Sequence, residues 1–328
     1  MTTEPDDLSP LHKIFVGVDG LRAGWGLLLF LVLFAALMLI AIEVSRLFSH
    51  PTLKTGVEKA AGMSLSTTLE ADSIPFVLTL FATWIMAKIE RRPAANYGLG
   101  GSSKLSHFLA GLAWGVICLS LLVLILWKTG YFVFDSRLLF GSGPFRYGAL
   151  WFIAFLLVGL FEEYFTRGYL LFTLSRGLAG IYKSLFKTAR SGVLGFWTAA
   201  LALSVFFGLG HGHNPGESPI GLLCAGLAGL VFCLSLWRTG SLWWAIGFHA
   251  AWDWAQSFLY GAADSGALIQ NHLFATHPVG EPLFSGGGTG PEGSIFVIVI
   301  MVLICVIVIF TRPRGVSARN VTSAEYLE

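Results

Sequence analysis

The chain has 328 residues, of which 55% are hydrophobic and only 12% charged, with a mean hydropathy of +0.72. Soluble domains carry about 25% charged residues, so a soluble globular protein is excluded, and the apolar content excludes a disordered chain. What remains is an integral membrane protein, and a net charge of +2 with a pI of about 8.3 is too mild for a nucleic-acid binder.

Residues 1–23 form a polar N-terminal segment, expected in the cytoplasm. The first apolar run is followed by Glu43 and Arg46 rather than a small-residue cleavage site, so it is expected to be retained as a span. A helix crosses the hydrocarbon core with about 20 apolar residues. Eight runs meet or approach this: 24–45, 74–90, 107–127, 148–174, 191–211, 219–237, 241–261 and 294–311. The second is short and bounded by Asp72 and Lys88. Backbone groups of an open sheet would stay unsatisfied in lipid, so the fold class is an all-α bundle of about eight transmembrane helices. Cys118, Cys224, Cys233 and Cys305 all lie inside apolar runs without a CxxC pair and read as small core residues.

With eight spans both termini share a side with the loops after spans two, four and six. Those segments hold fourteen Lys and Arg against six on the opposite side, which puts both termini in the cytoplasm. The chain divides into the segment 1–23, helices one to three over 24–144, a core of helices four to seven over 145–262, a long loop with the last helix over 263–311, and a polar, disordered tail over 312–328. No internal repeat is evident, which weighs against a transporter. The loop from Gly261 to Gly293 ends in a Gly/Pro-rich run that excludes regular helix. It reads as a lid over a site or as a linker.

Arg167 is the one basic residue left inside a span, and Glu162 and Glu163 share that span. A charge at mid-membrane costs roughly 2.5–3.5 kcal/mol on insertion scales. Glu163 and Arg167 are four apart and can pair on one helical face. Glu162 points about 100° away from Glu163 and lacks a local partner, which suits a proton acceptor or donor. The plain alternative is an ionic clasp between helices. Span five ends in Gly208-Leu209-Gly210-His211-Gly212-His213; the glycines leave room for close approach at His211, while His213 is expected to face solvent. His211 falls nearer the membrane boundary than Glu162, so span five must be tilted, broken or shifted inward. Span seven carries His249 and Asp253, four apart on one face: a self-satisfied pair, or two groups facing the cavity of Glu162. Span six carries Gly221, Ala225 and Gly229 at four-residue spacing, a face for packing inside the bundle rather than for dimerisation.

Glu162-Glu163-x-x-x-Arg167, Phe207-x-x-x-His211 and His249-x-x-x-Asp253, in this order on successive spans, resemble the CAAX prenyl protease 2 and bacteriocin-processing family, over roughly residues 145–262. The resemblance implies a glutamate-dependent intramembrane endopeptidase. Glu162 would be the general base that activates water, His211 would help hold that water, His249 and Asp253 would stabilise the oxyanion, and Glu163 with Arg167 would orient the site. Asp253 stands where many members have Asn, and an ionised Asp cannot donate a hydrogen bond; it is then protonated or serves otherwise, as in binding a metal. No cofactor is certain. If a divalent metal such as zinc is bound, Glu162, His211, His249 and Asp253 are the candidate ligands, although no HExxH helix is present. The expected partners are the lipid bilayer and a membrane-embedded or lipidated peptide or protein, in the cell membrane; the oligomeric state is open. The competing functions are a non-catalytic binding or immunity protein on the same fold, and a transporter using Glu162 and Arg167 as a relay. A binding protein would have lost motif residues, and all six are present.

Overall fold

The structure, a computed structural model, describes residues 14–17, 20–48, 62–214 and 216–312. The expected disordered tail beyond Arg312 and most of the N-terminal segment lie outside the described residues. After a short antiparallel pair, β1 (Val16–Gly17) with β2 (Gly20–Leu21), come α1 (Ala23–Phe48), α2 (Leu65–Ile89) and α3 (Lys104–Lys128). Strand β3 (Phe132–Arg137) leads to α4 (Gly143–Tyr164), which runs through a π-helical turn (Phe165–Leu170) into α5 (Leu171–Phe186). Then follow α6 (Ser191–Gly210), α7 (Pro219–Thr239) and α8 (Trp243–Asp253), the last extended by a second π-helical turn (Trp254–Leu259). Strand β4 (Phe274–Pro278), the one-turn α9 (Pro282–Ser285) and α10 (Phe296–Thr311) complete the described chain.

All eight expected spans are helical, and among the described residues 6 helices are long and apolar enough to cross a membrane, with α10 a shorter apolar helix. Two boundaries move. Helix α2 starts at Leu65 rather than at 74, with Ser64 capping it by accepting from the Thr67 amide at 3.3 Å. Its first turns are rich in Ser, Thr, Glu and Asp, which hides them from hydropathy. Their buried stripe, Thr68, Pro75, Thr79, Thr83 and Met86, faces protein rather than lipid. The fourth span is also longer than 148–174: the apolar helical stretch is 44 residues, Gly143–Phe186, bent where Gly168 leaves helical geometry (φ −84°, ψ −114°). Arg176 and Lys183, expected in a loop, therefore sit on α5.

Helix α8 is the axis of the bundle. It is buried on nearly every side, and α3 crosses it closely at Gly111, where a Cβ would run into the Trp244 carbonyl. One apolar core lies around Leu119, Leu122, Trp244, Phe248 and Ile304, and a second around Phe30, Tyr169, Phe196 and Leu236. Cys118, Cys224 and Cys233 are buried, Cys305 is partly buried, and all four are free thiols.

Each end of the bundle is tied by its own contacts. At one end β3 pairs antiparallel with β4, Met63 bridges to Ile269, and Thr289 Oγ1 donates to the Gly216 carbonyl at 3.0 Å. The loop from Gly261 to Gly293, read as a lid or a linker, is thus packed into the fold and includes a strand and a one-turn helix. At the other end the Leu242 amide donates to Gly98 at 2.8 Å and Arg238 Nε to the Arg312 carbonyl at 2.6 Å. These ties group the loops in the alternation that eight spans require.

Candidate active site

The last turn of α4 carries Glu162 and Glu163, and the π-helical turn that follows carries Arg167. A π-turn inserts residues relative to α-helical spacing and recurs at functional sites. Arg167 Nη1 donates to Glu163 Oε1 at 2.7 Å and to Thr166 Oγ1 at 3.1 Å, and Nε donates to the Gly229 carbonyl at 3.4 Å. Its guanidinium stacks on Phe207 at 4.5 Å and on Phe232 at 5.3 Å. Gly229 is required for this fit, because a Cβ there would lie 2.8 Å from Nη2. The pair is sealed from solvent, with side chains 1% and 0% exposed.

His249 reaches the same carboxylate from α8. Its Nδ1 is 3.0 Å from Glu163 Oε1, and Phe232 stacks on the imidazole at 5.5 Å. With Nδ1–H donated to Glu163, the opposite nitrogen faces the cavity: Nε2 is 3.4 Å from Asp253 Oδ2 and 3.8 Å from Glu162 Oε2. Glu162 Oε2 and Glu163 Oε2 have no hydrogen-bond partner among the described residues. Glu162 keeps 27% of its side chain exposed, whereas Glu163 is fully enclosed. The two adjacent carboxylates have separate environments, one a buttress and one facing open space.

Glu162, His211, His249 and Asp253 line one cavity of about 550 Å³ with an apolar wall that includes Phe155, Val158 and Trp252. His211 opens the 3₁₀ turn after α6, and its Nδ1 lies 2.8 Å from the Phe207 carbonyl. Helix α6 is continuous through its glycines and ends at the level of Glu162, with which His211 shares a second small recess between α4 and α6. The depth mismatch thus needs no break in span five. Of the glycines flanking His211 only Gly208 meets a neighbouring helix closely. His213 is exposed, as expected. The Gly221, Ala225, Gly229 face of α7 is internal: Gly229 meets Arg167, and Gly221 and Ala225 line the cavity.

Three further carboxylates line the cavity that the motifs did not single out: Asp72 of α2, and Asp264 and Glu292 of the long loop. Asp72 continues the buried stripe of Thr68, Pro75 and Thr79, and helical spacing run back past the polar residues would have found it. Nothing local in the sequence marks Asp264 or Glu292, because the loop's path brings them in. Ser257 Oγ donates to Asp264 Oδ2 at 3.1 Å, and the Ser265 amide to Glu292 Oε1 at 2.6 Å. Burial, and then the Asp253 charge, pushes the Asp264 carboxyl well above the usual carboxylate range; burial raises Glu292 as well, against the opposing Ser265 bonds.

Among the described residues no group of three or more His, Cys, Asp or Glu side chains is placed to hold a metal ion. Glu162, His211, His249 and Asp253 share a cavity without forming a ligand set.

An all-α membrane bundle with ionisable groups gathered around an internal cavity is the class that fold and site define. Within it, residues 144–255 match the family model described as type II CAAX prenyl endopeptidase, Rce1-like. The match holds all six motif residues and agrees with the family that the motifs resemble; at that coarse level it supports a membrane protease. No curated protein and no solved structure matches the chain.

Proposed function

We propose that this protein is an intramembrane endopeptidase that hydrolyses a peptide bond of a membrane-associated polypeptide with water activated by Glu162. The observation that carries this reading is the relay Arg167–Glu163–His249. It occupies Glu163 Oε1 and the Nδ1 of the imidazole, and leaves Glu162 and His249 Nε2 facing the same cavity.

Glu162 takes a proton from water as the hydroxide adds to the scissile carbonyl carbon. His249, protonated on both nitrogens, donates Nε2–H to the oxyanion that forms, and the carboxylates around the ring offset its charge. Collapse of the tetrahedral species breaks the C–N bond, and the proton held by Glu162 passes to the departing amine. His211, with Nδ1–H given to the Phe207 carbonyl, offers Nε2 to position the water. Asp253 approaches the ring nitrogen that serves the oxyanion, so its role is to hold the imidazolium rather than to donate itself. The reading places the protein in the cell membrane with both termini cytoplasmic, on the Lys and Arg distribution.

The test compares membrane-proteome termini in the native host, wild type against Glu162→Gln at matched expression. Termini formed only with wild type are expected, and would name the substrate. Equal termini together with a phenotype retained by Glu162→Gln would overturn the assignment in favour of a binding or immunity role.

A further inference from the structure

The cavity reaches one end of the bundle. Its rim is built from the start of α2 (Met63, Thr67) and from Asp264, Ser265 and Glu292 of the long loop, beside the 3₁₀ turn that holds His211 and Asn214. These are all segments at the end where β3 pairs with β4 and Met63 meets Ile269. The floor, with Phe232, Phe248 and His249, lies against the middle of α7 and α8.

Charge divides the two ends sharply. At the end away from the cavity, the described residues include Arg91, Arg92 and Lys104 between α2 and α3, Lys187 and Arg190 between α5 and α6, and Arg238 with Arg312. Arg22, Lys88, Arg176 and Lys183 belong to the same end, and Glu90 is the one described carboxylate there. At the cavity end the described basic residues are Arg46, Lys128, Arg137 and Arg146, set among Glu43, Asp135, Glu217 and Glu281 as well as the rim carboxylates. Membrane proteins retain Lys- and Arg-rich short loops in the cytoplasm, and acidic residues count little. Every loop here is short enough for that rule, and the hydrogen bonds fix which loops share an end.

We infer that the cavity opens on the non-cytoplasmic face, so that the substrate is an exported or membrane-inserted polypeptide whose scissile segment is presented outside the cytoplasm. This rests on the peptidase reading for the word substrate, but the sidedness of the cavity does not.

The test places single cysteines in the full-length protein and treats intact cells with a membrane-impermeant maleimide, before and after the membrane is opened. Leu268→Cys, 43% exposed beside the rim, and Val279→Cys, 39% exposed after β4, report the cavity end. Ser102→Cys, exposed in the α2–α3 connection, reports the other. The wild-type protein, whose described cysteines are buried or partly buried, sets the background. The expected result is labelling of Leu268→Cys and Val279→Cys in intact cells, and of Ser102→Cys only after opening. The reverse pattern, equal labelling of both ends, or rim positions that label only after opening would each overturn the inference. Labelling does not depend on turnover, so its failure is distinct from a failure to find new termini. Where termini are found, they are expected in segments on the non-cytoplasmic side.

Discussion

Two buried carboxylate clusters sit at different levels of this bundle and are built on opposite plans. Around Glu90, at the end of α2, every neighbour is a donor: Tyr169 OH at 2.5 Å, Tyr97 OH at 3.1 Å, and the guanidinium of Arg176 at 3.3 Å, with Arg92 at 3.7 Å. Burial and the Glu90 charge push the Tyr97 phenol up, so it stays a donor. Around Glu162 and Glu163 the carboxylates outnumber the donors, and one oxygen of each has no hydrogen bond among the described residues. Unmet hydrogen-bonding capacity in a buried site is costly, and here Glu162 carries it beside a cavity. A saturated carboxylate anchors helices, whereas an unsaturated one beside open space can take a proton.

The largest expected effect comes from breaking the unsaturated side of this contrast. Glu162→Gln keeps shape and volume but cannot accept a proton, and cleavage is expected to fall by about 10²–10⁴-fold with the thermal transition in detergent little changed. A folded Glu162→Gln protein that cleaves normally would remove Glu162 as the base. Next, Arg167→Ala leaves Glu163 buried without its cation, for which a loss of about 3–5 kcal/mol is expected. An unchanged melting temperature would show that the pair is not a structural strut. Glu90→Gln sharpens the comparison from the saturated side. It removes charge-assisted bonds of about 1.5–3 kcal/mol each at most, so stability should drop while activity per folded molecule stays at the wild-type level. Loss of activity without loss of stability would contradict an anchoring role.

The smallest effect concerns pH. The folded-state pKa of Asp264 lies above its unfolded value. Its contribution to stability is therefore fully present below the ordinary carboxylate range and is lost as pH rises through the folded-state value. Asp264→Asn can still accept from Ser257 and removes that loss, so it should be more stable than wild type at neutral pH and converge with it in acid. Parallel melting-temperature profiles against pH for the two proteins would show that burial of this carboxyl carries no such cost.

The motif residues were legible because each breaks an apolar run, and a charge inside a span is expensive enough to stand out. Glu163 with Arg167 and His249 with Asp253 were legible as pairs because four-residue spacing puts them on one helical face. What spacing could not show is that His249 bridges to Glu163 rather than resting on Asp253 alone, since that depends on how α8 sits against α4. The start of α2 was missed for a related reason. Hydropathy asks whether a residue tolerates lipid, and the stripe of α2 that runs through Thr68, Thr79 and Thr83 is buried against protein.

Composition and the pattern of apolar runs settled the solvent and the helical class, because the cost of an unpaired backbone group in hydrocarbon leaves no other solution. The Lys and Arg distribution along the chain likewise marked which loops share a side. Only the tertiary structure decided that Asp72, Asp264 and Glu292 join the cavity, that the long loop is packed over it, and at which end it opens. Those facts depend on contacts between segments far apart in sequence, such as Met63 with Ile269 and Gly216 with Thr289, and no local periodicity encodes them.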